Sequence, residues 1–223
     1  MPGGRRIPLA VPAGAFIALE GGEGAGKSTQ GGLLVEHLRA RGREVVWTRE
    51  PGGTPASEAI REIVLSPQFE GLDPRAEALL FAAARGEHAA RVIRPAVERG
   101  AVVVCDRYID SSVAYQGYGR SLGAEVVRDL SRWATGGLTP DLTILLDVDP
   151  AVGLARLSNP DRLEAEPIEY HRAVRAGFLE LAASEPSRYL TLDATATVAD
   201  LAGAIAHRVD EALAEASKGT DQT

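Results

Sequence analysis

The nine residues Gly-Gly-Glu-Gly-Ala-Gly-Lys-Ser-Thr at 21–29 follow the apolar run Ala-Phe-Ile-Ala-Leu. Gly21, Gly26, Lys27 and Ser28 satisfy the spacing G-x-x-x-x-G-K-[ST], a pattern that gains its meaning between a strand and a helix. Glycines there let the backbone curl its N–H groups around an anion, and the positive end of the next helix adds to the field. Lys27 would reach the β- and γ-phosphates of a nucleoside triphosphate, and Ser28 would ligate Mg2+. The expected ATP cradle is therefore Gly21, Gly22, Glu23, Gly24, Ala25, Gly26, Lys27, Ser28 and Thr29. Glu23 is odd in that company, because a carboxylate repels phosphate. Its side chain is expected to point out of the loop, toward another partner.

Such a loop requires a strand–helix frame. Residues 15–21, 44–50, 101–108 and 142–148 are short and nearly continuous in apolar residues, with 188–194 a weaker fifth case. Strands buried on both faces of a parallel sheet have this character. Helical spacing is found between them, over 28–41, 55–65, 74–99, 124–134, 151–157, 169–183 and 198–216. The alternation predicts an α/β doubly wound sheet with right-handed crossovers. With 223 residues, 45% of them hydrophobic, one domain is expected over 15–217, with a flexible lead at 1–14 and a frayed tail at 218–223.

The totals exclude several classes. A net charge of −7 argues against broad nucleic-acid binding, which needs a positive surface. No run approaches the ~20 apolar residues of a membrane span. Prolines interrupt the apolar residues of the first sixteen positions, which makes a poor signal peptide. The single Cys105 cannot form an intramolecular disulfide and sits in an apolar run, so it reads as a buried strand residue in a reducing cytoplasmic setting.

Three further clusters bear on an acceptor. Thr-Arg-Glu-Pro-Gly-Gly-Thr (48–54) leaves the second strand, where Arg49 can meet a second phosphate, the alternative being a solvated arginine on a surface turn. In 105–117, Asp106 is placed to hold Mg2+ through water and Arg107 to neutralise an acceptor phosphate, while Ser111, Ser112, Tyr115 and Gln116 add hydrogen-bonding groups. An Asp-Arg pair capping a helix is the other reading. Asn-Pro-Asp-Arg-Leu-Glu (159–164), preceded by Arg156, suits a lid over 157–167 that excludes water, or an ordinary polar link between helices. Asp149-Pro150 fits a helix N-cap, and the four histidines read as solvated helical residues.

In this order and spacing the four motifs resemble the thymidylate kinase family, which moves the γ-phosphoryl group of ATP to dTMP. The resemblance runs from Phe16 to the last helix. It implies a P-loop kinase fold, a five-stranded parallel sheet flanked by helices, a homodimer, and Mg2+ with ATP. It further implies that Arg107 and Arg49 attend the acceptor phosphate, that Phe81 stacks on thymine and that Gln116 lies near the base. Arg85 then falls on the same helical face as Phe81. Tyr115 matches a tyrosine that crowds the sugar where a 2′-hydroxyl would lie, Glu23 an acidic residue facing the acceptor nucleotide, and Asp106 a magnesium-linked aspartate. The chain departs from many bacterial members in its shortened lid, which leaves Arg156 and Arg162 as the catalytic lid arginines beside Lys27 and Arg107. Three rivals are a kinase of the same fold acting on another acceptor, a regulatory GTPase, for which the chain lacks N-K-x-D, and a non-catalytic nucleotide-binding module. An apolar dimer face is expected on the 74–99 helix.

Overall fold

The computed structural model describes residues 14–220, with side chains to residue 215. The expected N-terminal lead therefore lies outside the described residues except for Gly14. Five strands, β1 (Ala15–Glu20), β2 (Val45–Arg49), β3 (Val102–Asp106), β4 (Leu142–Asp147) and β5 (Tyr189–Asp193), form one sheet in the order β2-β3-β1-β4-β5. Every neighbouring pair is parallel. The expected five-stranded fold is present, and each strand falls within its predicted segment.

Alternation along the strands feeds two cores. Phe16, Ala18, Val103 and Cys105 point to one face, whereas Ile17, Leu19, Val102 and Val104 point to the other. Covering the second face are α1 (Lys27–Ala40) and α9 (Val198–Thr220), through Leu34, Val35, Leu38, Leu201, Ile205 and Val209. The first face lies under a helical layer that includes α3 (Pro74–His88) and α8 (Ile168–Ser184), with α6 (Ala124–Thr135) packed against α3. The central strands β1, β3 and β4 are buried on both faces but for the last residues of β3 and β4, which is why their sequences lack polar alternation, while the edge strands β2 and β5 are partly exposed.

Proline-led starts set several helices. Thr54 caps α2 (Pro55–Leu65) by accepting from Ser57 N–H, Asp73 caps α3 from Arg75 and Ala76 N–H, and Asp149 caps α7 (Pro150–Leu154) from Ala151 N–H. The Asp149 cap is as expected. The helical stretch expected over 74–99 is continuous, but a π-helical segment at Ala89–Ile93 joins α3 to α4 (Arg94–Glu98). α7 ends at Leu154, three residues short of the expected 157, and α9 continues to Thr220, three residues into the predicted tail. A helix outside the predicted helical segments, present in the sequence analysis only as the alternative reading of the Asp-Arg pair, follows β3: α5 (Ile109–Ser112), extended by π-helical Val113–Gly119.

Strand order is what positions the site. From β1 the chain steps to the far edge at β2 and returns through β3, so the crevice lies beyond the carboxyl ends of β1 and β3. Register pairs Leu19 with Asp106 and Asp106 with Arg49. The glycine-rich loop, the Asp-Arg pair and Arg49 therefore emerge side by side.

Candidate active site

The loop between β1 and α1 is a left-handed curl. Gly24 has φ 63°, and a Cβ there would lie 2.2 Å from the carbonyl oxygen of Gly153, so no other residue fits. Gly26, with φ 90°, is the residue before α1, whose first-turn N–H groups have no side-chain cap. Those groups face the cavity as anion donors. Lys27 folds back over the loop, donating to the carbonyls of Gly21 at 3.1 Å and Gly22 at 2.8 Å. Burial lowers its ammonium pKa to about 8, with Arg107 repelling and Glu23 and Asp106 partly compensating. It is a cation short of counter-charge, which an anionic ligand would supply.

Glu23 does point out of the loop. Its carboxylate takes a hydrogen bond from Arg107 Nη2 at 3.0 Å and a short one from the Tyr115 hydroxyl. Burial alone would raise its pKa, but Arg107, Lys27 and that hydroxyl together hold it below the usual carboxylate value. Arg107 sits at φ 70°, a strained backbone for a residue with a Cβ. That turn aims its guanidinium back across the crevice. Nη1 donates to Gly21 O at 3.0 Å and Ser111 Oγ at 3.1 Å, and the group lies 4.9 Å from the centre of the Tyr115 ring. Arg107, just past β3, and Lys27, at the start of α1 after the β1 loop, thus face one cavity.

Ser28 Oγ donates to Asp106 Oδ2 at 2.8 Å. A hydroxyl and a carboxylate side by side are hard oxygen donors, which suit Mg2+ completing its shell with phosphate oxygens and water. The pair fits that ion.

These groups open on a cavity of about 470 Å³. Glu23 to Thr29, Arg49, Phe81, Arg85, Asp106, Arg107, Ser111, Tyr115 and Gln116 all line it, with Asp161, Leu163 and Glu164 from the segment between α7 and α8. Gly21 and Gly22 are not on the wall; they meet the site through the carbonyls that Lys27 holds. Arg49 is half-exposed and pairs with Glu58 at 3.0 Å. Arg85 is buried, its Nε on Glu50 at 2.6 Å and its other nitrogens on Ser131 and Ser112.

The two lid arginines separate. Arg156 is exposed and donates to Gly24 O at 2.7 Å, directly over the phosphate loop. Arg162 is placed behind the cavity wall: its guanidinium is buried, with Nε on Val64 O at 2.8 Å and Nη2 on Glu77 Oε2 at 2.7 Å. In this arrangement it anchors the segment and does not reach the loop. The reading of all four histidines as solvated is corrected in two cases. His88 is fully buried between Glu50 and the Thr48 hydroxyl, and His171 is buried against Tyr170.

Buried carboxylates are what the sequence reading missed. Glu20, at the end of β1, accepts from the N–H groups of Tyr108 and Ser111 and from Ser111 Oγ at 2.5 Å. It fixes the turn that carries Arg107. Desolvation, and then the nearby Asp110, raise its pKa to about 7. An acid whose folded pKa is raised stabilises most below its unfolded value and loses that contribution as pH climbs through the folded one. As pH rises from about 4.5 to about 7, wild type should therefore lose stability relative to Glu20→Gln. Thermal melts of both proteins across pH 5–8 check this, and parallel curves would refute it.

Comparison with known proteins leads to one family. The family model described as Thymidylate kinase matches residues 19–205. The thymidylate kinase of Leifsonia xyli subsp. xyli is 57% identical over 208 residues, covering 92% of this chain and 98% of that protein. That of Deinococcus radiodurans is 55% identical over 185 residues, 82% of this chain and 89% of its own. A solved structure, the thymidylate kinase from Ehrlichia chaffeensis, matches with a TM-score of 0.75 at 32% identity, covering 89% of this chain and 99% of that one.

Proposed function

The chain belongs to the thymidylate kinase family, and we propose how its residues divide the transfer of the γ-phosphoryl group from ATP to dTMP. The observation that carries the division is the convergence of Lys27 and Arg107 on one cavity, the first from the phosphate loop and the second from the strained turn after β3. One cation serves the donor and the other the acceptor.

Phosphoryl transfer runs through a loose transition state that needs in-line placement and charge neutralisation more than covalent help. An oxygen of the dTMP phosphate, already anionic, forms the new bond to Pγ while the bond from Pγ to the bridging oxygen of ADP breaks. No strong general base is required. The loop N–H groups and Lys27 hold the triphosphate, and Arg156, standing over Gly24, adds a cation from the lid. Ser28 and Asp106 would hold Mg2+, which when bound neutralises phosphate charge. Arg107 and Arg49 hold the acceptor phosphate. Glu23 meets both Arg107 and Tyr115, which accounts for a carboxylate in a phosphate loop.

For the base we assign the end of the cavity walled by Phe81, Arg85 and Gln116. The thymine methyl group in an apolar pocket is worth only about 1–3 kcal/mol, or roughly 10–200-fold. dUMP should therefore be turned over measurably, with kcat/KM lower than for dTMP by a factor in that range. A coupled ADP-release assay with ATP, Mg2+ and dTMP, dUMP, dCMP, dGMP, UMP, thymidine or no acceptor tests the whole reading. Strongest turnover with dTMP, weak turnover with dUMP and none without acceptor are expected. Acceptor-independent hydrolysis would sink the assignment of Arg107.

Among the described residues no helix is long and apolar enough to cross a membrane. We place the enzyme in the cytoplasm, acting on small molecules as a homodimer. Exposed Leu79 on α3 and exposed Val126 and Trp133 on α6 support a face for the second copy on those adjoining helices.

A further inference from the structure

Glu77 of α3 is fully buried and no sequence motif marked it. Its Oε2 accepts from Arg162 Nη2 at 2.7 Å and from Arg120 Nη2 at 3.2 Å, and its Oε1 accepts from Gln116 Nε2 at 2.9 Å and from Arg120 Nε at 3.3 Å. A carboxylate set between two guanidiniums is an acceptor only. It can satisfy the amide of Gln116 in one orientation, with the NH2 toward Glu77 and the carbonyl turned away. Gln116 lines the cavity beside Phe81 and Arg85, and among the described residues no donor meets its Oε1.

We propose that Glu77 is a positioning residue for base selection: it locks the Gln116 amide with its carbonyl oxygen available to the pyrimidine. This rests on the assignment of the Phe81–Gln116 end of the cavity to the base. A fixed carbonyl acceptor complements the ring N3–H of a thymine- or uracil-type base. It opposes the N3 lone pair of a cytosine-type base, which would leave two acceptors facing each other. The same carboxylate holds the lid segment through Arg162, and Arg120 also meets Glu166 at 2.6 Å. Base orientation and lid position thus share one anchor.

The test compares kcat/KM for dTMP and dCMP in wild type and Glu77→Gln, with folding checked by circular dichroism. Glutamine offers both a donor and an acceptor, so either amide orientation becomes possible. The dTMP-over-dCMP ratio is expected to narrow by roughly 10-fold or more. Equal losses on both substrates, with the ratio kept, would make Glu77 a structural residue and overturn the proposal. A wild-type enzyme that does not prefer dTMP would instead defeat the base assignment beneath it. Should Glu77→Gln fail to fold, side-chain amide NMR of the wild-type chain decides, with the Gln116 signals identified by their loss in Gln116→Met. Protection of those NH2 protons and little shift on adding dTMP support the lock. A large shift would mean that the NH2 faces the base, and the proposal fails.

Discussion

Lys27→Ala will lower kcat by about 10²–10³-fold, a loss near 3 kcal/mol in the transition state, the scale found when one preorganised donor is removed from a site of developing charge. Lys27 is buried and spans the loop by donating to Gly21 and Gly22 carbonyls. Its ammonium is held ready for an anion that the protein itself does not provide. Because those two carbonyls lie on the loop's own backbone and Gly24 is pinned by its contact with Gly153, the loop should keep its curl without the side chain. Catalysis is then lost with folding retained. Steady-state kinetics beside a thermal melt separate the two. Near-normal turnover by a folded variant would remove Lys27 from the mechanism.

The parts of this site that were legible in sequence are those whose meaning is local. The phosphate loop is nine consecutive residues, and the buried strands declare themselves by short segments nearly continuous in apolar residues. Long-range pairing is a different matter. Glu20 meets residues 108 and 111, Glu77 meets 116, 120 and 162, and Glu50 meets 85 and 88. Each is an ordinary glutamate until the fold brings its partners in. The missed helix after β3 has a similar cause. Ile109 to Gly119 is rich in serine, glycine, tyrosine and β-branched residues, which have modest helix propensity. Packing decides there: Ile109, Val113, Ala114 and Tyr115 are buried in the first-face core, against α8. Arg162 shows the limit of reading by motif, since the same guanidinium suits a phosphate or a buried carboxylate, and Glu77 is present to claim it.

Arg107→Ala is expected to cost about 10²–10³-fold in kcat/KM for dTMP while leaving the KM for ATP nearly unchanged. The asymmetry follows from what the guanidinium touches. Arg107 shares the Gly21 carbonyl with Lys27 but differs from it in meeting Ser111 Oγ, Glu23 and the Tyr115 ring, the side of the loop that the proposed division gives to the acceptor, while the helix N-terminus and Lys27 are given the triphosphate. Arg107→Lys should recover only part of the loss, because a point charge on a flexible stem cannot hold Glu23 and a phosphate from fixed, planar donors at once. Removing Arg107 also leaves the Glu23 carboxylate without its main partner, and that unpaired charge would repel the incoming phosphate. Glu23→Gln in the alanine background should therefore restore part of the acceptor affinity, an effect that simple loss of a phosphate contact would not produce. Bisubstrate kinetics on the three variants measure both terms. A rise in the KM for ATP with the acceptor KM unmoved would reverse the assignment, putting Arg107 on the donor and leaving Arg49 to hold dTMP.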